Sequence, residues 1–359
     1  MKILHVITSL GMGGAEKLMV DLLPRLNGMD GNEVELCVFC GKRHPFYDQL
    51  EIAGVKIYSF GQKFDIYHPR HLFHLVKLMR NYDIVHTHNT APQLFAALGS
   101  MLCSAVLCTT EHTTSNRRRR WKWYAYIDKL MYSRYSRIIC ISQKAEDKLR
   151  AHIHSTSEKI CTIQNGVDIQ KFINADKSDE ILEKFKDKHT AVMVAGFRWE
   201  KDQPTLIEAY RYLPDSYHLL LIGDGYKRGE CEKLTITLKL KERVHFLGFR
   251  SDIPNILKSV DVVVMSSHFE GLSLSNIEGM ASGNPFVASD VDGIRDVTAG
   301  YGVLFPHENP EKLAEEILKL TEDKRYRMAV IEKCQKRAGM FDINLMAENY
   351  NKVYRELNH

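Results

Sequence analysis

The sequence predicts an α/β protein built from two doubly wound domains, and three observations lead there. The chain has 359 residues, which at roughly 150 residues per domain is about two hydrophobic cores. Short β-branched runs alternate with helical patterns from the amino terminus, stop at a turn cluster, Asn165-Gly166-Val167-Asp168, and a charged stretch from Asp176 to His189, and then begin again. Repeated strand–helix alternation favours a parallel sheet covered on both faces, whose ligand edge is the carboxyl end of the strands.

In the first series Ile3–Thr8, Glu33–Phe39, Val55–Phe60, Asp83–His86, Val106–Thr110 and Arg137–Ile141 read as strands, because β-branched and apolar residues fill short runs bounded by turn residues. The second series has strands at Ala191–Ala195, His218–Ile222, Val244–Leu247, Asp261–Met265, Pro285–Ala288 and Gly302–Leu304, and the tail Asp342–Leu357 has a helical apolar rhythm. The expected organisation is therefore residues 1–168, residues 169–340, and a terminal helix over 341–359 that packs back toward the first domain. Two such domains facing each other leave a cleft suited to a nucleotide-sized ligand.

Composition narrows the class. Hydrophobic residues make up 44%, charged residues 26%, and the formal net charge is +4, which fits a folded globular chain and argues against long disorder. The apolar run Met1–Thr8 is short for a signal peptide and is broken by Gly11-Met12-Gly13-Gly14, and no stretch approaches the roughly 20 apolar residues of a spanning helix. The expected location is cytoplasmic, including the inner face of a membrane. Eight cysteines lie mostly in apolar runs and read as buried, reduced thiols. Cys37 and Cys40 fall on opposite faces of a strand, no second pair completes a zinc site, and no metal is expected.

The most informative segment runs from Phe269 to Asp296. It follows the apolar strand Asp261–Met265 and reads as strand, loop and helix start, so amides near Ser273–Asn276 lie at a helix amino terminus, a seat for phosphate. The helix dipole adds up to about 2 kcal/mol there when partly buried. Glu270 precedes the helix and Glu278 lies about one turn inside it, so the two carboxylates can serve different hydroxyls, Glu270 of a sugar and Glu278 of a ribose. On their own they are better explained as a helix cap and a solvated side chain.

This stretch resembles the carboxylate signature of family-four (group 1) retaining glycosyltransferases, which have two facing Rossmann-like domains, the GT-B fold. The match continues through Gly283-Asn284-Pro285 and Val291-Asp292-Gly293-Ile294-Arg295-Asp296. Other blocks follow in the family's order: Gly11-Met12-Gly13-Gly14-Ala15-Glu16, Asp83-Ile84-Val85-His86-Thr87-His88, Asn165-Gly166-Val167-Asp168, Leu221-Ile222-Gly223-Asp224-Gly225 and Val244–Gly248. The resemblance implies an acceptor-side first domain and a sugar-nucleotide-binding second domain. It also implies metal-independent transfer of a hexosyl group from a nucleoside-diphosphate sugar, UDP favoured over GDP, with no further cofactor. The acceptor would be lipid-linked or an oligosaccharide, in cell-surface polysaccharide or glycolipid synthesis.

Residue by residue, the resemblance places Gly13, Gly14, Gly196, Gly223, Gly225, Gly271, Leu272, Ser273, Leu274, Ser275 and Glu278 at the donor. Lys201 matches the family lysine. The family arginine belongs five residues earlier, where this chain has Gly196, and Arg198 is the candidate to supply its charge from a shifted position. His112, after the fifth strand, matches a family histidine that orients the donor or acceptor hydroxyl. Glu270, His112, Lys201 and Arg198 form the catalytic set, and His86 and His88 are assigned structural roles.

From Arg117 to Arg137 the chain carries eight basic residues, one acid and six Trp or Tyr residues. Arg117, Arg118, Arg119, Arg120, Trp121 and Trp123 suit an interfacial helix on an anionic membrane; a helix burying its aromatics in its own domain fits equally. Nucleic-acid binding is not expected, because no nucleic-acid module accompanies the charge. The competing readings are a sugar-nucleotide-binding protein without activity, for which Gly196 argues, and a GT-B-type sugar-nucleotide epimerase.

Overall fold

A computed structural model describes every residue except Met12, 62–64, 113–123, 271, 272 and His359. The chain divides into two compact units, Met1–Gly166 with Ile343–His359, and Val167–Asp342.

The first unit holds a parallel seven-stranded sheet, β1 (Lys2–Ile7), β2 (Glu33–Val38), β3 (Ile57–Ser59), β4 (Ile84–His88), β5 (Val106–Glu111), β6 (Arg137–Cys140) and β7 (Ile160–Thr162). Their order is β3-β2-β1-β4-β5-β6-β7. Connecting helices are α1 (Gly14–Leu26), α2 (Pro45–Ile52), α3 (Arg70–Met79), α4 (Thr90–Gly99), α5 (Tyr124–Ser133) and α6 (Gln143–Ile153). After the first residue β1 and β2 are buried throughout, as strands covered on both faces must be. One face packs under α1 and the terminal helix α16 (Ile343–Leu357), through Ile3, Ile7, Leu22, Tyr350 and Tyr354. The other packs under α3, α4, α5 and α6, through Val85, Phe95, Tyr132 and Leu149.

The second unit begins with α7 (Ile169–Ile173) and α8 (Asp179–Lys184). It continues as β8 (His189–Val194), α9 (Gln203–Ala209), β9 (Tyr217–Ile222), α10 (Arg228–Thr237), β10 (Val244–Gly248), α11 (Ile253–Ser259) and β11 (Val262–Met265). It closes with α12 (Leu274–Ala281), β12 (Phe286–Ser289), α13 (Ile294–Thr298), β13 (Val303–Phe305), α14 (Pro310–Glu322) and α15 (Lys324–Gly339). The parallel order is β10-β9-β8-β11-β12-β13. The chain leaves and re-enters this unit side by side, with the Val167 amide donating to the Phe341 carbonyl at 2.8 Å. That contact draws the boundary after Gly166, two residues before the expected one.

Each sheet reverses its winding once, between β1 and β4 and between β8 and β11. At such a switch point the neighbouring loops diverge to opposite faces and open a crevice at the strands' carboxyl ends.

Two expectations need correction. Residues 117–137 are not one helix, because α5 ends at Ser133 and Arg137 opens β6, while residues 113–123 lie outside the described residues. Tyr132 and Tyr135 are core residues, 1% and 2% exposed. The β7 strand was not expected, because its three residues, Ile160–Thr162, follow a polar turn and are too few to show a period. All eight cysteines are free thiols, and among the described residues no helix is long and apolar enough to cross a membrane.

Candidate functional site

In the second unit the loops leaving β8 and β11, the two strands flanking the switch point, are laced together. The Asp202 amide donates to Ser266 O at 3.1 Å, the His268 amide to Glu200 O at 2.9 Å, and Lys201 forms an isolated antiparallel bridge with Ser267. This lacing brings the Lys201 ammonium onto the Glu270 carboxylate, two side chains only 17% and 14% exposed. Ser267 Oγ donates to the same Glu270 oxygen at 3.4 Å. Burial draws the lysine down to about 8, against a smaller upward pull from the Glu200 carboxylate. Glu270 is thus a partner of Lys201.

The end of β8 also approaches β9 closely. A Cβ on Gly223 would stand 2.2 Å from Ala195 O, and one on Gly225 would stand 2.3 Å from Phe197 O. Gly223 is at φ +127°, so backbone conformation and space both require glycine there. Gly196 differs, since a Cβ there would meet nothing closer than 3.5 Å. One of the two atoms at that distance is Nε of Arg198. Nε and Cγ of Arg198 thus lie beside the place a side chain at 196 would project into, at 3.5 and 4.0 Å. The Arg198 charge also contributes to lowering the Lys201 pKa, as two cations sharing a small region must.

Helix α12 begins at Leu274, with Ser273 as an extended N-cap whose side chain makes no capping bond. The Asn276 amide turns back to Ser273 O at 3.2 Å. That removes it from the expected phosphate-facing set and leaves Leu274 and Ser275 in the first turn, where amides have no intrahelical acceptor. Gly271 and Leu272 lie outside the described residues. Glu278 is 3% exposed, so the solvated reading of this carboxylate is wrong. The helix lies close on the sheet because a Cβ at Gly279 would come within 2.9 Å of both Phe286 and Val263.

In the first unit Gly13 caps α1 and Gly14 starts it. The Glu16 carboxylate folds over Gly13, its Oε2 2.3 Å from where a Cβ would stand, so an anion at this helix end has to displace a flexible acidic side chain. His112 follows β5 and is partly exposed; burial of its ring draws its pKa to about 4. Its Nε2 meets His88 Nδ1 at 2.9 Å. His86 and His88 are fully buried and stack at 4.6 Å between centroids. Between His88 and α4 stands Asn89, at φ 68° and ψ 164°, a region in which non-glycine residues are strained. Nothing in the sequence marked Asn89. Arg117–Arg120, Trp121 and Trp123 lie outside the described residues.

Two groups of candidate metal ligands occur among the described residues, His5–His86–His88 and Asp202–His268–His307, each with ligand atoms within 4.8 Å. The first three rings are nearly parallel, with interplanar angles of 17°, 11° and 7°. In the second, Asp202 faces Nε2 of His268 at 3.9 Å while His307 meets Nδ1 of the same ring at 2.9 Å.

Residues 12–171 match the family described as Glycosyltransferase Family 4, and residues 174–337 match Glycosyl transferases group 1. A UDP-Gal:alpha-D-GlcNAc-diphosphoundecaprenol alpha-1,3-galactosyltransferase from Escherichia coli is 26% identical over 351 residues, 90% of this chain and 88% of that one. An N,N'-diacetylbacillosaminyl-diphospho-undecaprenol alpha-1,3-N-acetylgalactosaminyltransferase from Campylobacter jejuni is 28% identical over 235 residues, 63% of this chain and 62% of the other. Among solved structures, Anabaena HepE in complex with UDP and glucose superposes with a TM-score of 0.86 at 21% identity, over 99% of both chains. The two-sheet α/β architecture is that of GT-B glycosyltransferases, and the paired family matches, one to each unit, complete the assignment: this chain belongs to the group 1 glycosyltransferases.

Proposed function

We propose that the chain moves a hexosyl group from a nucleoside-diphosphate sugar to an acceptor hydroxyl with retention at the anomeric carbon, without a metal. The observation that carries this is the position of Arg198 over Gly196 beside the buried Lys201. Departure of the diphosphate develops negative charge, and the two cations with the first-turn amides of α12 can stabilise it. Each well-aimed donor in such a site is worth about 10²–10³ in rate. In this reading Glu270 holds the lysine in place and meets sugar hydroxyls, Glu278 accepts from the ribose, Gly196, Gly223 and Gly225 let the nucleotide approach the strand ends, and His112 orients a substrate hydroxyl.

UDP-sugars are the favoured donors. The E. coli relative is named for a UDP-galactose donor, and HepE was crystallised with UDP. A diphosphoundecaprenol-linked sugar is the favoured acceptor, because both relatives are named for one. A membrane-facing role for the first unit is supported by α5, where Tyr126, Ile127 and Leu130 are 80%, 43% and 72% exposed. These residues share one side of the helix by their spacing, directly after the basic run.

The test is a panel of UDP- and GDP-sugars screened by thermal shift, then nucleoside diphosphate release with undecaprenyl-diphosphate-linked sugars, with and without EDTA. Anomeric coupling in the product reports retention. No stabilisation by any donor would reject the reading, and an inverted product or loss of turnover with EDTA would reject its mechanism. Sedimentation with anionic vesicles, compared between wild type and Y126S/L130S, tests the membrane role; unchanged sedimentation would reject it.

A further inference from the structure

A chain of buried hydrogen bonds crosses the core of the first unit and ends on His112. His112 Nε2 meets His88 Nδ1 at 2.9 Å. His88 Nε2 meets His5 Nδ1 at 2.9 Å. His5 Nε2 meets the Tyr354 hydroxyl at 3.2 Å, and that hydroxyl meets His86 Nδ1 at 2.6 Å. His86 Nε2 then reaches Thr110 Oγ1 at 2.7 Å, and Thr110 reaches the Tyr350 hydroxyl at 3.0 Å. The strand register builds this. His5 lies directly across from His86 in the β1–β4 pair, and His88 lies across from Thr110 in the β4–β5 pair. Residues two apart in a strand share a face, here the face that α16 covers with Tyr350 and Tyr354.

Such a chain can run in only two directions. A neutral imidazole has one N–H and one lone pair, so each ring passes the direction of donation to the next. All four rings carry the proton on Nε2, or all four carry it on Nδ1. The Tyr354 hydroxyl has one proton and decides between them: if it donates to His86, it accepts from His5. Contact lengths choose that arrangement, since O–H donors make shorter bonds than N–H donors. The 2.6 Å contact is the tyrosine's donation and the 3.2 Å contact is the one it accepts. Burial keeps the rings neutral, with His5 drawn to about 3 and His86 and His88 well below their ordinary value.

We propose that Tyr354, acting through His5 and His88, is a positioning residue that fixes His112 as the Nε2–H tautomer and leaves Nδ1 as its hydrogen-bond acceptor. His112 then accepts a hydrogen bond from a substrate hydroxyl and does not donate one; this last step rests on the role given to His112 above. Removing the hydroxyl reverses the chain. In Tyr354→Phe the Nε2–H of His5 would be buried without an acceptor, whereas the opposite direction strands only a lone pair. An orphaned N–H is the costlier of the two.

The test is a two-bond ¹H–¹⁵N correlation spectrum of the full chain labelled in its histidines, with His5, His86, His88 and His112 assigned by single substitutions to Gln. In the wild type all four are expected as Nε2–H tautomers, and in Tyr354→Phe His112 is expected to become Nδ1–H. An Nδ1–H tautomer of His112 in the wild type overturns the proposal even if the variant does not fold, and so does an unchanged His112 in a folded variant. Tyr354→Phe should lower kcat/KM by roughly tenfold in the wild type and have no further effect in His112→Gln, whose amide can turn to accept. A reversed tautomer with unchanged kcat/KM would leave the wiring intact and reject only the substrate role of His112.

Discussion

The Arg198 side chain lies beside Gly196: its Nε is 3.5 Å from where a Gly196 Cβ would be. A single loop thus carries both a lysine and an arginine, the arginine two residues beyond position 196. If the position of the charge matters and its origin does not, Arg198→Ala should reduce nucleoside diphosphate release by about 10²-fold. Gly196→Arg added to that variant should recover most of the loss, because only ordinary contacts surround position 196. Steady-state turnover of the three proteins decides it; no recovery would place the function of Arg198 elsewhere.

The seating of α12 depends on Gly279. A Cβ there meets Phe286 at 2.7 Å and Val263 at 2.9 Å, atoms of two neighbouring strands that cannot withdraw together. Gly279→Ala should therefore destabilise the second unit by about 1–3 kcal/mol, read as a lower urea midpoint. It should also weaken UDP binding, by lifting the helix start away from the strand ends. An unchanged midpoint would show that the helix can shift without cost.

Asn89 holds a conformation that glycine adopts freely. Asn89→Gly should raise stability by about 1 kcal/mol or more, measured by urea unfolding at pH 7.5. If the strain serves the end of β4, the same variant should lose turnover. A variant less stable than the wild type would show that the asparagine side chain contributes more than its backbone costs.

The buried histidines predict an acid limit. His5 is drawn to about 3 and His112 to about 4, and His86 and His88 also fall well below their ordinary value. Unfolded histidines titrate near 6.5, so below that pH the unfolded chain takes up protons that the folded chain refuses. Stability is full above about pH 6.5 and falls as pH drops toward the folded values, by up to about 1.4 kcal/mol per pH unit for each ring. The urea midpoint should decrease steadily between pH 6.5 and 5, above the carboxylate range. A flat profile would mean that the rings protonate in the folded state.

Much of this was readable from the sequence, because parallel strands buried on both faces announce themselves as apolar runs and the carboxylate segment is continuous. The pairing of Glu270 with Lys201 was not readable, since it depends on lacing between two loops 69 residues apart. The histidine chain was less visible still. His5, His88, His112 and Tyr354 come from four separate segments, and only the strand register and the return of α16 place them in line. Asn89 carries no sequence signal at all, because strain is a property of the backbone it is given.

The most direct measurement is the thermal stabilisation of the full chain by UDP, in the wild type and in the double variant R198A/K201A. At a UDP concentration near 100 times its dissociation constant, the wild type should gain about 2.7 kcal/mol, or several degrees in melting temperature. The double variant should gain little at the same concentration while keeping its own melting temperature within a few degrees of the wild type's. A wild type that UDP does not stabilise, or a double variant stabilised equally, would contradict the account of the second unit as the diphosphate-binding site.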